Sequence, residues 1–198
     1  RRKGPDWIES LKDPVRIAGE GRRSIISSVT DEDPEENEAF RVAGAACDLL
    51  REYARTPERP FFLFASTTVP HVPWHCPRAY AERIDPARIP CPGNYNDDWA
   101  GRPDVYRRSH NFMNDCQMNE RWDDVALCLA RYYGIISLID EAFGRILDTL
   151  DELGLREDTW IVFTSDHGEM AGRHGRIGKS VYLLDDIIRT PLVIVPPG

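Results

Sequence analysis

Between Trp122 and Leu153 apolar side chains return every three to four positions, through Val125, Cys128, Leu129, Tyr132, Ile136, Ile139, Phe143, Ile146, Leu147 and Leu150. This period predicts one amphipathic helix of about 30 residues, roughly 45 Å long. Gly134 and Gly144 fall inside it. Each costs about 1 kcal/mol against alanine in a helix, so their expected use is close packing on a sheet. Gly154 stands where a left-handed residue closes such a helix. A second helix is marked at its start by Asp33 as cap, Pro34 in the first turn, and a run of acids facing the positive end of the helix dipole. Phe40, Ala43, Cys47, Leu50 and Tyr53 repeat on its apolar face, and Thr56-Pro57 ends it. The same acids lack the D-x-D-x-D-G spacing of a calcium loop.

Three short runs are apolar without a break: Phe61–Ala65, Thr159–Thr164 and Pro191–Val195. Such runs read as strands buried on both faces, the habit of a parallel sheet. A brief helix is expected near Pro77–Arg83, inside a long connection from Thr67 to Arg121 that reads as a binding loop. Residues 1–30 carry little pattern beyond a short strand at Ser24–Val29, and read as an irregular N-terminal segment ahead of one domain over 31–198. Strand, helix, strand, loop, strand is an α/β arrangement, a mostly parallel sheet flanked by helices. Ligands in such folds gather beyond the carboxyl ends of the strands.

Composition narrows the partners. Of 198 residues, 41% are hydrophobic and 29% charged, with a net charge of −8. That balance opposes a nucleic-acid partner, which needs clustered Lys and Arg on phosphates. It does not oppose a small anionic substrate, because a bound cation or local base reverses the field within a site. The five cysteines, Cys47, Cys76, Cys91, Cys116 and Cys128, are scattered without C-x-x-C spacing and read as separate thiols. No run is long and apolar enough to span a membrane, and Arg1-Arg2-Lys3-Gly4-Pro5 is not a signal peptide. The expectation is a soluble cytoplasmic or periplasmic protein whose two ends read as cut.

The chemistry lies past the strands. Ser165-Asp166-His167-Gly168-Glu169-Met170 follows the second run, and an adjacent carboxylate and imidazole there can reach one metal if the backbone turns at Gly168. Next, Gly172-Arg173-His174-Gly175-Arg176-Ile177-Gly178-Lys179 offers glycines and cations to an oxyanion. It is not a P-loop: G-x-x-x-x-G-K-S/T requires glycine where Arg173 stands. After the first run comes Val69-Pro70-His71-Val72-Pro73-Trp74-His75. His71 and His75 have the spacing of a helical zinc pair, but Pro70 and Pro73 forbid the helix. A histidine between prolines is held in a rigid extended turn, suited to an acid, base or anion ligand. His75 and His110 read as ordinary loop histidines.

Three segments, in order, resemble the sulfatase family of the alkaline phosphatase superfamily. They are Pro60–Phe64 leading to Pro70-His71-Val72-Pro73, Tyr132–Ile136 through Asp140 to Gly144-Arg145, and Phe163–Met170 through Gly178-Lys179 to Thr190-Pro191-Leu192. The resemblance spans about residues 33–198. It implies a partial alkaline-phosphatase-like sandwich and a sulfuric ester hydrolase in which a formylglycine, matured from Cys or Ser in C-x-P-S-R, attacks a sulfate ester held by a divalent cation, usually calcium. Carried over residue by residue, it implies Asp166 and His167 as metal ligands. Lys179 would contact the sulfate and leaving group, and His71 would contact the sulfate and help protonate the departing alcohol. His174 would be a substrate contact. The substrate would be a small sulfate ester or a sulfated carbohydrate.

The C-x-P-S-R segment does not occur here, and Cys76-Pro77-Arg78 is not a version of it. In the family that segment and an acidic pair lie upstream. The chain alone is therefore expected to bind metal weakly and not to turn over. Two alternatives stand beside this reading: a phosphodiesterase or phosphonate hydrolase of the same superfamily, and a non-catalytic α/β binding protein with an eroded site.

Overall fold

The structure, a computed structural model, describes residues 9–19, 22–108, 115–117, 121–179 and 183–198. Strands β1 (Lys12–Gly19) and β2 (Arg22–Thr30) form an antiparallel hairpin, and β2 also pairs in parallel with β3 (Trp74–Pro77), Ser27 lying opposite Trp74. The short strand expected at Ser24–Val29 is thus present, extended at both ends, as the middle strand of a three-stranded sheet, while β1 comes from residues expected to be irregular. Ser27, Ser28 and Thr30 are buried beside Ile26 and Val29, which is tolerable because the hydroxyls find partners: Ser28 Oγ lies 2.6 Å from His75 Nδ1, and Arg131 Nη1 reaches Ser27 Oγ.

The chain then enters helix α1 (Glu38–Tyr53) in two steps. Asp33 caps a short 3-10 turn at Pro34–Glu36, accepting from the Glu35 amide at 3.0 Å, and Asn37 caps the helix proper through the Ala39 amide, also at 3.0 Å. Ala39, Phe40, Ala43, Cys47 and Leu50 face inward, as the period predicts.

The long connection is not structureless. It carries β3, then α2 (Arg78–Ala81), α3 (Asp104–Arg108) and β4 (Asp115–Gln117). Helix α4 (Trp122–Glu152) is the spine of the molecule. Val125, Cys128, Leu129, Leu138, Ile139 and Ala142 join Phe40, Trp74 and Tyr80 in one core. The stripe buries Ile135 where Ile136 was expected; Ile136 is 39% exposed. Gly134 does permit a close approach, since a Cβ there would lie 2.7 Å from Tyr80 O and 2.9 Å from Cys76 Sγ; Gly144 has open space around it. Two charged residues fasten the helix. Buried Arg131 donates to Asp13 O at 2.8 Å, and Arg145 grips both oxygens of Glu35 at 2.9 and 2.5 Å while lying over the Phe40 ring. Among the described cysteines, Cys47, Cys76 and Cys128 are buried and Cys91 is exposed, all as free thiols.

Beyond α4 come β5 (Ile161–Thr164), β6 (Arg176–Gly178), α5 (Asp185–Ile188) and β7 (Leu192–Val195). Strand β5 pairs antiparallel with β7, and β4 with β6. The class is α/β, but only β2–β3 is parallel among the described pairings. A parallel neighbour needs a full crossover connection, whereas after β5 the backbone folds back on itself at 168–178 and returns through α5. The expected burial of the three apolar runs also differs. Phe61–Ala65 forms no strand and joins none of the three sheets, and Phe62 is 89% and Phe64 77% exposed. Val162, Phe163, Leu192, Val193 and Ile194 are exposed as well. A run of this kind is covered on both faces only where further layers pack on it, and the described residues supply only partial cover, Phe143 against the Phe163 ring and Tyr53 against the Phe61 ring.

Candidate functional site

Strand β5 delivers Ser165-Asp166-His167-Gly168 into a tight turn. The Ser165 hydroxyl donates to His167 O at 3.0 Å, and the His167 amide donates to Asp166 Oδ1 at 3.0 Å. Gly168 N donates to Ile187 O at 2.7 Å, so the turn is stitched to α5. That contact explains the glycine: a Cβ at this position would lie 2.1 Å from Asp186 O.

The His167 ring is oriented by its own turn. Nδ1 lies 2.7 Å from Gly168 O. A carbonyl can only accept, so Nδ1 carries the proton and Nε2 presents its lone pair outward. The Lys179 ammonium meets that Nε2. Asp166 Oδ2 lies 3.6 Å from the same nitrogen, on a side chain 82% exposed.

Lys179 arrives there because the intervening chain doubles back. Met170 N donates to Gly178 O at 3.1 Å and Gly172 N to Arg176 O at 2.8 Å. Glu169 closes this return from within. Its Oε1 accepts from Gly178 N at 2.5 Å and from Ala171 N at 3.2 Å. Removal from water pushes the Glu169 carboxyl above the usual carboxylate range, against those two amides and the electrostatic influence of the His167 and His71 rings. Tyr132, on α4, is pushed up to about 12, chiefly by burial and then by the Glu169 charge.

His71 is exposed, and its Nδ1 lies 2.6 Å from Val72 O, which again leaves Nε2 as the acceptor. Its turn is braced on both sides. The fully buried Trp74 donates its indole N–H to Pro70 O at 2.8 Å. Ahead of it, the Glu38 carboxylate on α1 accepts from the Thr68 amide and the Thr68 hydroxyl, each at 2.7 Å. His71 and His167 both act electrostatically on the Glu169 carboxyl.

His174 is placed differently. It is 7% exposed, and both ring nitrogens have protein partners: Nδ1 lies 2.5 Å from Asp97 Oδ2, and Nε2 lies 3.1 Å from Asn94 Nδ2. Its ring packs on Trp99, with centroids 5.0 Å apart. Around it Met170, Trp99 and Ile187 form a second small core. His75 bonds Ser28 across β2–β3, and His110 lies outside the described residues. The sequence reading assigned no role to Glu169, Glu38, Asn94 or Asp97. Glu169 follows directly on Asp-His-Gly, so adjacency was an available signal. Asn94 and Asp97 lie about 80 positions from His174 and had none.

The donor set bears on the implied cation. Asp166 Oδ2 and His167 Nε2, 3.6 Å apart, are separated as two ligands of one ion would be, each about 2.0–2.5 Å from it. Among the described residues no three His, Cys, Asp or Glu side chains gather into a complete metal site. The two donors therefore fit part of a coordination shell, with Nε2 open to a cation once the Lys179 ammonium moves off its lone pair.

Known proteins share this frame. The chain is 33% identical over 159 residues to the sulfatase YidJ of Escherichia coli (strain K12), covering 80% of this chain and 31% of that protein. It is 33% identical over 157 residues to an arylsulfatase of Clostridium perfringens, covering 79% of this chain and 31% of that protein. The chain thus spans about a third of the length of these curated relatives. The phosphonate monoester hydrolase SpPMH of Silicibacter pomeroyi superposes with a TM-score of 0.76 at 25% identity, over 99% of this chain and 39% of that one. The expected alkaline-phosphatase-like α/β architecture is therefore the one present. Since the family model described as Sulfatase matches residues 23–198, the chain belongs to the sulfatase family, within the alkaline phosphatase superfamily.

Proposed function

We propose that the protein to which these residues belong is a sulfuric ester hydrolase, acting on a small sulfate ester or a sulfated carbohydrate. The reading rests on one observation above the others: Asp166, His167 and Lys179 converge at the carboxyl end of β5, with a cationic amine against an imidazole lone pair. Two fixed donors and a positive group at one strand end suit an anionic tetrahedral substrate.

Asp166 and His167 Nε2 would hold a divalent cation, calcium by family resemblance. When bound, that cation supplies positive charge to the sulfate oxygens and to the nucleophile. The nucleophile, a formylglycine, and the remaining metal ligands would come from outside these 198 residues. Lys179 would offset charge on the ester as the S–O bond to the alcohol breaks. His71, braced by Trp74 and Glu38, would orient the sulfate and, once its Nε2 has taken up a proton, pass that proton to the departing alkoxide. Because the His167 Nδ1 proton is committed to Gly168 O, the ring faces the site as an acceptor in its neutral form.

The similarity to SpPMH favours one second reading, a phosphonate monoester hydrolase using the same groups. Full-length enzyme assayed on an aryl sulfate and an aryl phosphonate separates the two by relative kcat/KM, and a higher value on the phosphonate would displace the sulfatase reading. In the same protein, Asp166→Ala should abolish calcium binding in calorimetry together with turnover. Lys179→Ala should lower kcat by about a hundredfold or more with calcium binding intact. Retained calcium affinity in the first variant, or unchanged kcat in the second, would remove that residue from the site.

A further inference from the structure

The return that carries Lys179 contains a conformational choice with no local explanation. At its tip, Gly172, His174 and Gly175 all have positive φ, at 86°, 53° and 64°. Glycine adopts this region without penalty, whereas a residue with a Cβ pays roughly 1 kcal/mol or more. A histidine at such a position is accounted for by what its side chain holds, and His174 holds a second segment of the chain. Its Nδ1–H donates to Asp97 Oδ2 at 2.5 Å, its Nε2 accepts from Asn94 Nδ2 at 3.1 Å, and its backbone amide donates to Asn94 O at 3.1 Å. These three contacts all reach residues 94 to 97, and Trp99 from the same segment covers the ring; Arg102 Nη1 also lies 2.9 Å from Nδ1, and Asp186 Oδ2 on α5 lies 3.9 Å from Nε2.

The receiving segment is itself fixed. Asp97 accepts from the Trp99 amide at 2.9 Å and pairs with the Arg102 guanidinium. On the other side of the tip, Arg173 Nε lies 2.9 Å from Asp186 Oδ1, joining the turn to α5. From His174 the chain runs straight through β6 to Lys179, five residues on. The return is therefore held near Lys179 by Glu169, along β6 by its pairing with β4, and at the far tip by Arg173 and His174.

We propose that His174, with Asp97 and Asn94, is a positioning latch that couples segment 94–102 to the Lys179-bearing return. It sets where the Lys179 amine stands relative to His167 and does not touch the substrate. This rests on the functional reading given above for Lys179, and it replaces a substrate contact at His174 with an indirect role. Both ring nitrogens are spent on protein partners, so none is left to meet a sulfate oxygen.

The experiment compares three variants of the full-length enzyme with wild type. His174→Gly suits the left-handed backbone and removes the side chain, so its losses report the latch rather than strain. His174→Asn also suits that backbone and restores one N–H near the place of Nδ1–H. Asp97→Asn weakens the latch from the other side. Hydrogen exchange read by mass spectrometry should rise in 94–102 and 172–179 together in His174→Gly and Asp97→Asn, with α4 unchanged. On an aryl sulfate, kcat should fall about tenfold to a hundredfold in His174→Gly with KM and calcium binding nearly constant, and His174→Asn should recover part of it. Faster exchange in only one of the two segments overturns the coupling. Equal kcat in the Gly variant and wild type, or a rise in KM with kcat constant, overturns the positioning role. A wild-type enzyme inactive on sulfates sinks the functional reading separately, while the exchange data still decide the coupling.

Discussion

Asp97 shows how one carboxylate can organise a loop through several weak donors. The Trp99 amide foremost, then His174 and Arg102, hold its carboxyl down to about 2 against the opposing effect of burial. A folded-state value below the ordinary 3.8 means the ionised form stabilises the fold. That contribution is fully present above 3.8 and is lost as pH falls through about 2. Wild-type unfolding free energy should therefore drop more steeply across that acid range than that of Asp97→Asn, which keeps an acceptor for Trp99 but has no charge to lose. Parallel curves by chemical denaturation would show that the ion pairing is absent in solution. At this scale the motif residues were legible. Asp166 and His167 follow β5, the strand that the apolar run ahead of them predicts, and His71 sits in a turn between its prolines. The partners of His174 were not legible, because a hydrogen bond between residues 77 or 80 positions apart leaves no trace in local pattern.

The elements divide by what packs on them. Helix α4 was legible over nearly its whole length because a 3.6 period sustained for eight turns has no other explanation. Its two glycines looked alike in sequence and differ in the fold. At Gly134 a methyl group would strike the Tyr80 carbonyl and the Cys76 sulfur, so Gly134→Ala should destabilise by about 1–3 kcal/mol. At Gly144 a methyl group meets nothing within 4 Å, so Gly144→Ala should stabilise by up to about 1 kcal/mol through helix propensity. Thermal or urea unfolding of the pair tests both, and equal effects would contradict the packing of α4 on β3 and α2. Strand β2 was legible over Ser24–Val29, but its hairpin partner β1 was not, because Lys12–Gly19 has too little apolar alternation to mark a strand and is one only through its pairing with β2.

Across the whole molecule, order is unevenly supported. The α1–α4 core with the β1–β2–β3 sheet is continuous and buried, whereas β5 and β7 form a two-stranded ribbon whose apolar side chains stand largely exposed. Such a ribbon is marginal in water without a further layer. In the 198-residue chain, amides of β5 and β7 should exchange at least about a hundredfold faster than those of α4 between Val125 and Ala142. Comparable protection would mean that the ribbon is covered in solution. No described helix is long and apolar enough to cross a membrane.

Local repetition and residue chemistry were enough to determine the two long helices, the strand-like character of β5 and β7, and the family. Each depends on neighbours in sequence, through helical period, steric limits at proline and glycine, or a run of fixed residue types. Tertiary structure alone decided which apolar runs are covered, that β5 and β7 run antiparallel, that Glu169 closes the Lys179 return, and that His174 is turned inward onto Asp97. Those outcomes depend on which distant side chain arrives to satisfy a buried donor or fill a face, and distance along the chain carries no record of it.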